Sequence, residues 1–358
     1  MYKICVIKFA NVKHVIKGRG APDNPINRFE GHYVDYDPED HPSTETQLFK
    51  DDTKNIISFN KSPDVPFEAG FNPYRGCEHG CIYCFARPFH EYLGFSSGLD
   101  FETKIMVKYE APELLRKQFQ SPKWTPQIVA MSGITDVYQP IERKLEITRK
   151  SLKVFAEFRN PVGIITKNYL VTRDIDVLKE LAAYHCVKVN LSVTTLDKSL
   201  SQKMEPRTSS PARRLKAIEE LAKAGIPVGV NVAPIVPGLT DHEMPNILRA
   251  AANAGAQSAG HIILRLPYKV KDLFQTWLEE HYPDRKEKVI NRVRDMRGGS
   301  LNNKEFGKRM KGEGNFYKQI QSTFNIHVRK LGLDKKSTQL TVDNFHRSHG
   351  DQLSLFSV

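Results

Sequence analysis

Three of the five cysteines of this 358-residue chain lie in one short segment, NPYRGCEHGCIYCFARP. Cys77, Cys81 and Cys84 follow the spacing Cys-x3-Cys-x2-Cys, and the aromatic Tyr83 directly precedes the last of them. Three thiolates from one loop can each bind a different iron of a cubane cluster, which leaves one iron open. An open metal position is where a substrate or cosubstrate can coordinate, as at a catalytic zinc ion. The spacing therefore favours an iron–sulfur site with one free coordination position.

The same segment allows a second interpretation, a structural zinc ion with His79 or His90 as its fourth ligand. Structural zinc sites usually draw their ligands from paired units in separate knuckles, which makes this reading the less favoured one. Cys5 and Cys186 stand alone, and a lone cysteine is usually a small buried apolar residue. An odd number of cysteines without an export signal indicates thiols kept reduced, so we expect a cytoplasmic protein.

The elements that must position this segment begin near residue 65, where short apolar runs alternate with amphipathic stretches. Runs that are apolar at nearly every position predict a parallel sheet, and the stretches between them predict the helices that cover it. The predicted strands are 127–134, 162–167, 187–194, 227–235 and 260–266, and the predicted helices are 111–119, 145–158, 171–184, 210–224 and 241–254. About six such units suit an α/β fold with a partial (βα)6 TIM-like barrel. Ligands then lie at the carboxyl ends of the strands.

Composition divides the chain into four regions. Residues 1–64 are rich in Gly, Pro, Asp and Asn, which predicts an irregular N-terminal arm that is partly disordered. Residues 65–268 form the predicted barrel, and residues 269–335 have amphipathic patterns that predict a helical, basic C-terminal extension. Residues 336–358 are polar until their last few positions, which predicts a flexible tail. No run of about 18 uncharged apolar residues occurs, so we expect no membrane-spanning helix.

Positive charge is concentrated in the C-terminal extension. The chain has 53 Lys and Arg against 41 Asp and Glu, and residues 285–311 alone contain ten basic and three acidic residues. Such a stretch would bind nucleic acid in a salt-dependent way, because each neutralised phosphate releases counterions. A solvated basic face is the alternative. The candidate phosphate contacts are Arg297, Lys308, Arg309 and Lys311, with Phe306, Phe316 and Tyr317 as candidate stacking partners.

At the cysteine segment the chain resembles the radical S-adenosylmethionine (SAM) superfamily, whose hallmark is this spacing with an aromatic residue beside the third cysteine. The resemblance implies that Cys77, Cys81 and Cys84 hold a 4Fe-4S cluster within a partial (βα)6 barrel. It also implies that SAM binds the unique iron. One electron from a reductant such as flavodoxin or ferredoxin would then release a 5′-deoxyadenosyl radical, which abstracts hydrogen from a substrate.

Two further segments resemble one branch of that superfamily. AMSGITDVYQPIE is similar to the Ser-x-x-Thr-Asp segment of the branch that includes spore photoproduct lyase, and GRGAPDNPINRFE resembles an uncharacterised bacterial subgroup of it. The resemblance implies that Ser132, Thr135 and Asp136 bind the methionyl amine, since an ammonium needs hydroxyl and carboxylate acceptors. Capping of the following turn by Thr135 and Asp136 is the alternative. Spore photoproduct lyase has a hydrogen-donating cysteine where this chain has Gly133, and Cys186 is a weak candidate for its replacement.

Other expected SAM contacts lie farther along the barrel. Asn190 and Ser192 lie on the strand whose end meets the ribose hydroxyls in the superfamily, although polar strand residues are often satisfied within the sheet. Arg207, in the segment MEPR, resembles a residue near the carboxylate of the cosubstrate, where a guanidinium can form a bidentate pair. A salt bridge at a helix start is equally compatible with Arg207. NVAPIVPGLTD resembles the adenine-binding strand and turn.

The last residues of the chain have the character of a docking peptide. Apolar anchors after a polar lead-in suit apolar pockets on a partner. The candidate docking residues are Gln352 and the apolar anchors Leu353, Leu355 and Phe356. The segment resembles the pentapeptide by which bacterial DNA repair and replication proteins bind the replicative sliding clamp. A terminal strand that folds back onto the body is the other interpretation.

Together these patterns predict a monomeric radical SAM enzyme that acts on nucleic acid, above all on DNA with a damaged or modified base, and is recruited by the sliding clamp. The alternative among enzymes is the same chemistry on RNA or on a protein side chain. The alternative of another class is a zinc-bound nucleic-acid-binding protein without turnover.

Overall fold

The structure is a computed structural model that describes residues 16–29, 44–303, 305–334 and 339–347. Its strands are β1 Gln47–Lys50, β2 Ile57–Phe59, β3 Ala69–Phe71, β4 Tyr74–Arg75, β5 Lys104–Val107, β6 Val129–Met131, β7 Val162–Thr166, β8 Val187–Ser192, β9 Val228–Ile235 and β10 Ser258–Ile263. Its helices are α1 Asp100–Thr103, α2 Ala111–Gln120, α3 Glu142–Leu145, α4 Ile147–Phe158, α5 Ile175–Ala183, α6 Lys198–Met204, α7 Pro211–Lys223, α8 Met244–Asn253, α9 Val270–His281, α10 Pro283–Asp295 and α11 Gly314–Lys330. No helix within these ranges is both long enough and apolar enough to span a membrane.

The main sheet has seven strands in the order β10-β9-β8-β7-β6-β3-β2. Six of these strands are parallel, namely β3, β6, β7, β8, β9 and β10, and β2 pairs antiparallel with β3 at one end of the sheet. Parallel neighbours need crossover connections, and helices supply them here. All six parallel strands therefore end at one side, the carboxyl edge, and begin at the opposite side, the amino edge. A small second sheet has the order β1-β5-β4. The predicted α/β class is confirmed.

Burial of one face explains why strands such as β8 form, since Lys188 and Asn190 on its other face are only partly buried. Val187, Val189 and Leu191 of β8 are fully buried, and the helices cover the sheet with apolar faces such as that of α4, where the Phe155 ring lies 5.9 Å from the Phe71 ring. The five predicted strands and five predicted helices all occur, with shifted ends. The helix predicted from residue 171 begins as α5 only at residue 175, because a 3₁₀ helix capped by Asn168 precedes it.

The region predicted to be an irregular arm contains ordered structure. It contributes both β1 and β2, which the sequence interpretation missed. Residues 16–29 also pack against the cysteine segment: a Cβ added to Gly20 would lie 1.7 Å from the carbonyl oxygen of Gly80. Backbone approaches this close exclude any side chain, so glycine at position 20 is a packing requirement.

The C-terminal extension is helical, with α9 and α10 forming an apolar cluster beside α6. The region predicted to be a flexible tail begins with a packed segment, because residues 339–347 lie across the amino edge of the main sheet. The backbone N–H of Thr341 donates to the carbonyl of His185, and that of His346 donates to the carbonyl of Phe158. The docking-peptide residues Gln352, Leu353, Leu355 and Phe356 lie outside the described residues.

Candidate functional site

The cysteine segment forms a folded loop over residues 76–94, called here the thiol loop, which follows β3 and β4 toward the carboxyl edge. Gly76 and Gly80 have φ of +78° and +67°, values that favour glycine, and they bend the chain around the first two cysteines. The backbone N–H of Cys77 donates to the carbonyl of Phe101 at 2.9 Å. Cys77 and Cys81 are buried, Cys84 is half-buried, and all three are free thiols.

The electrostatics of the three thiols suit a cationic cluster. Burial raises the pKa of each thiol, and the charges of Asp136, Cys81 and Cys84 raise the pKa of Cys77 further. Deprotonation of these buried thiols therefore needs a bound cation to compensate the charge. Within the described residues no three His, Cys, Asp or Glu side chains converge to hold a single metal ion. A cubane cluster instead needs thiolates around a space, because each binds a separate iron. The three cysteines fit that requirement.

A buried network joins the thiol loop to the parallel strands of the main sheet. The carboxylate of Glu205 accepts hydrogen bonds from the Tyr83 hydroxyl, from Thr194 Oγ1 at 2.7 Å and from the Arg214 guanidinium, with which it forms an ion pair. Glu205, Arg214 and Thr194 are all fully or almost fully buried. Arg214 also donates to the carbonyl of Ser192 at the end of β8. The hydroxyl of Tyr83, the aromatic residue of the cysteine motif, therefore binds Glu205, which in turn binds Thr194 and Arg214.

A second buried carboxylate joins the thiol loop to the N-terminal segment. Glu102 is fully buried and accepts from the backbone N–H groups of Gly20 and Ala21 at 2.9 and 2.8 Å. It also pairs with the fully buried Arg87 at 2.5 Å. Arg87 in turn donates to the carbonyls of Cys81 at 3.0 Å and Gly98 at 2.8 Å. One ion pair thus holds the thiol loop and residues 20–21 together.

The residues expected at the methionyl amine are positioned beside the thiol loop and are occupied by it. Thr135 Oγ1 donates to the carbonyl of Gly76 at 2.6 Å. The Asp136 carboxylate accepts from Thr166 Oγ1 at 2.8 Å and from the Lys167 N–H at 2.9 Å, and it lies 3.3 Å from His79 Nδ1. Although burial opposes it, these contacts lower the pKa of Asp136. Both side chains anchor the loop, and their binding of an amine stays a prediction.

The remaining expected SAM contacts also lie at or near the carboxyl edge. Ser132 has a φ of +79°, and its Oγ accepts from the N–H of Val137 at 3.3 Å. Ser192 is buried at the end of β8, and Asn190 lies opposite Gly229 in β9, where a Cβ would come within 2.6 Å of its Oδ1. Arg207, one-third exposed, forms an ion pair with buried Glu78 of the thiol loop at 3.3 Å. The structure thus brings all these residues to one edge, while their roles stay predictions.

Two predicted roles need correction. Arg297 is buried, and its guanidinium donates to four carbonyls, those of Ile263, Leu264, Arg309 and Lys311. Arg297 therefore attaches residues 297–311, called here the basic loop, to the end of β10, and it has no free face for a phosphate. Cys186 precedes β8 at the amino edge, where its thiol donates to the carbonyl of Arg159 at 3.1 Å. The six residues of β8 put it ~20 Å from the carboxyl edge, too far to donate hydrogen there.

The other basic-loop residues differ in their availability. Lys308 and Lys311 are exposed, and Lys308 has a surface ion pair with Glu305 at 3.0 Å. Arg309 forms a hydrogen-bonded ion pair with Asp64, and its guanidinium lies 4.5 Å from the centroid of the Phe306 ring. Phe306 is exposed, whereas Phe316 and Tyr317 are half-buried at the start of α11. Lys308, Lys311 and Phe306 therefore remain available for a polyanion.

Sequence reasoning missed the buried charges that hold the site. Glu102, Glu205, Arg87 and Arg214 occur singly in segments of ordinary polarity, and charged residues are rarely buried unless they are paired. Among their segments, only MEPR, which contains Glu205, indicated a functional role, and the sequence interpretation assigned that role to Arg207. Their partners are up to 122 positions apart along the chain, which no local pattern reveals.

Comparison with known proteins assigns this fold and thiol loop to a class. The radical SAM superfamily model matches residues 71–251. An uncharacterised protein of Mycobacterium tuberculosis is 34% identical over 67% of this chain and 71% of its own. A radical SAM Nα-GlyT isomerase of Pseudomonas phage M6 is 27% identical over 54% of this chain and 38% of its own. A spore photoproduct lyase variant with bound AdoMet and dinucleoside spore photoproduct has a TM-score of 0.57 at 17% identity, over 79% of this chain and 78% of its own.

These similarities define an α/β enzyme of radical chemistry. The chain belongs to the radical SAM superfamily. It is therefore an enzyme that uses a 4Fe-4S cluster and SAM, as the sequence predicted. This assignment overturns the alternative of a zinc-bound protein without turnover.

Proposed function

We propose that this radical SAM enzyme acts on nucleic acid, and in particular on DNA with a damaged or modified base. The observation that carries the proposal is the attachment of the basic loop, residues 297–311, to the carboxyl end of β10 through the four carbonyl contacts of Arg297. Exposed Lys308 and Lys311 are thereby held on the same edge as the thiol loop. The dinucleoside in the spore photoproduct lyase complex supports the same substrate class.

The residues of the carboxyl edge have defined tasks in this proposal. The six parallel strands curve as a partial (βα)6 barrel, and Cys77, Cys81 and Cys84 hold the cluster at its open end. When bound there, the cluster and SAM supply a 5′-deoxyadenosyl radical for hydrogen abstraction. Ser132, Thr135 and Asp136 bind the amine of SAM, Asn190 and Ser192 its ribose, and Arg207 its carboxylate. Each offers a group of complementary charge or hydrogen-bonding capacity.

Gly133 separates this enzyme from the repair reaction of spore photoproduct lyase. A Cβ at this position would have only ordinary contacts, the nearest being Asn72 Nδ2 at 3.8 Å, so a cysteine would fit there and glycine is not a packing requirement. With Cys186 at the amino edge, neither position supplies a thiol beside the substrate. We therefore propose a different fate for the substrate radical, in a monomeric cytoplasmic enzyme reduced by flavodoxin or ferredoxin.

Release of 5′-deoxyadenosine tests the substrate class. We expect the anaerobically reconstituted, reduced enzyme to release more 5′-deoxyadenosine with damaged DNA than with intact DNA, RNA or peptide, because a bound substrate triggers productive cleavage. Lys308→Gln should weaken this response and lower the salt dependence of DNA binding by about one phosphate contact. Lys216→Gln is the matched control, since Lys216 forms a similar surface pair with Glu219 at 3.2 Å on α7. A response to RNA or peptide alone would contradict the proposal.

We further propose that the C-terminal peptide recruits the enzyme to the sliding clamp. Its apolar anchors Leu353, Leu355 and Phe356 suit apolar pockets on a partner. Deletion of residues 352–358 should remove clamp binding in a surface plasmon resonance experiment, because the anchors are lost. Iron content and 5′-deoxyadenosine release should not change, since no described residue of the site belongs to this segment. Clamp affinity that survives the deletion would refute recruitment through this peptide.

A further inference from the structure

Five exposed aromatic side chains surround the thiol loop, an unusual number for one part of a protein surface. They are called here the aromatic strip, and each is between 44% and 67% exposed: Phe29, Phe85, Phe89, Tyr92 and Tyr268. Three of them belong to the thiol loop itself, and Phe85 directly follows Cys84, the least buried of the three thiols. Exposed rings in contact with one another mark a binding surface, whereas scattered single ones do not.

Contacts link four of the five rings, all except Phe85, in one series. The Phe89 and Tyr92 ring centroids are 6.5 Å apart, and those of Tyr92 and Phe29 are 4.8 Å apart. The Arg28 guanidinium then lies 5.0 Å from the Phe29 centroid and 3.9 Å from that of Tyr268. Tyr268 belongs to the segment that follows β10, so the strip crosses from the thiol loop to the other end of the parallel sheet.

Arginine side chains contact the aromatic strip in two places. Besides Arg28, the guanidinium of Arg265 lies 5.2 Å from the Phe85 centroid. Arg265 also contacts Met310 of the basic loop, with its Nη1 2.5 Å from the sulfur atom. Phe85 is therefore linked through Arg265 to the loop that carries Lys308 and Lys311. Alternating ring faces and guanidinium groups are typical of surfaces on which nucleic-acid bases stack.

A small cavity opens beside the strip. Its volume is about 220 Å³, and its lining includes Ala86, Phe89, His90, Tyr92 and Phe101. This is less than the ~300–1,000 Å³ of pockets that enclose a drug-sized ligand, so the cavity suits a single ring. Ala86 and Phe101 also pack against Cys77, and therefore the cavity and the thiols share a wall.

One polar group in the cavity wall has no partner. His90 is 1% exposed, and its Nε2 makes no hydrogen bond within the described residues. Burial lowers the pKa of His90 to about 4, so the ring is neutral at physiological pH, and hydrogen bonds to backbone of Lys104 and Asp100 occupy its other nitrogen. Nε2 is then an acceptor, and buried acceptors without partners are rare in proteins. A ligand that brings an N–H group would satisfy it.

We propose that the aromatic strip and this cavity bind unpaired nucleotides, with one base inserted in the cavity and its neighbours stacked on the strip. The inference rests on the proposed function and narrows it to a single-stranded or locally unpaired substrate. Bases within a duplex are stacked on each other and have no free face for a side chain. An N–H of the inserted base donates to His90 Nε2, and Phe89 and Tyr92 contact its faces.

Binding to a fluorescein-labelled DNA oligonucleotide of about 12 nucleotides, measured by anisotropy at fixed salt on the reconstituted enzyme, tests this proposal. We expect the single strand to bind more tightly than the same sequence as a duplex. Phe89→Ala and Tyr268→Ala should each weaken single-strand binding about tenfold, because each removes one stacking surface.

Tyr184→Ala is the matched control, because Arg159 lies 3.9 Å from the Tyr184 ring, as Arg28 does from Tyr268, but at the amino edge. It should bind the single strand like the unmodified enzyme. Equal affinity for single strand and duplex, with no effect of the strip variants, would overturn this inference and leave the proposed function intact. Slower reduction by flavodoxin in the strip variants, with unchanged DNA affinity, would also overturn it and assign the strip to the reductant. Failure of the unmodified enzyme to bind any nucleic acid would refute both.

Discussion

Cys77→Ala is expected to lower cluster absorbance and 5′-deoxyadenosine release to the level of an enzyme-free control. Cys77 is one of three thiols on a loop that supplies no fourth cysteine, so its loss leaves two ligands from this chain. Two thiolates cannot occupy three irons, and a poorly ligated cluster is lost. The measurement is the iron and acid-labile sulfide content after anaerobic reconstitution, followed by product analysis.

Cys186→Ala is the matched control for this experiment. It removes a thiol that is equally buried but lies at the amino edge, bonded to the carbonyl of Arg159. Iron content and 5′-deoxyadenosine release should therefore equal those of the unmodified enzyme. If Cys77→Ala keeps its full iron and sulfide content, the assignment of this thiol as a ligand is wrong.

The second large effect is expected on stability. Arg87→Met should lower the free energy of unfolding by about 3–5 kcal/mol, because it leaves the buried carboxylate of Glu102 without its cation. The substitution also removes the donors to the carbonyls of Cys81 and Gly98. The thiol loop and the N-terminal segment lose their common anchor together. Urea denaturation of the reconstituted enzyme, followed by circular dichroism, measures the change.

Two further variants separate the buried charge from a general effect of removing an arginine. Arg116→Met breaks a pair with Glu157 whose side chains are 40% and 32% exposed, and such surface pairs contribute only about 0–1 kcal/mol. Adding Glu102→Gln to Arg87→Met removes the uncompensated charge and should recover part of the lost stability. A loss in Arg87→Met no greater than that in Arg116→Met would show that the pair does not anchor the loop.

The elements of the fold were predictable where one physical cause dominates. Strands such as β8 were predictable because alternate residues, Val187, Val189 and Leu191, are apolar and fully buried. The thiol loop was predictable because three ligands from one loop must be close in sequence. By contrast, β1 and β2 are short and largely exposed, so their residues do not show a strand pattern.

The remaining parts of the site depend on pairs that are distant along the chain. Glu102 and Glu205 look like surface residues in the sequence, and only the folded chain brings buried arginines to them. Arg297 was misassigned for the same reason, since a run of basic residues does not reveal which member turns inward. The prediction of Cys186 as a buried core thiol is confirmed. The edge of the sheet at which it lies could not be predicted without the direction of β8.

The position of residues 339–347 on the amino edge sets where an attached partner can be. Arg347 donates to the carbonyl of Trp124 at 2.8 Å, and Gln352 is only five positions farther along the chain, a reach of at most ~18 Å. A protein that binds the terminal peptide would therefore lie on the side of the amino edge, opposite the carboxyl edge that carries the thiol loop. Under the proposed recruitment, such a tether would raise the local concentration of enzyme along the polymer that carries its partner, but it would not orient the active site toward that polymer. Substrate must reach that site by looping round the enzyme or from a neighbouring stretch of the same polymer.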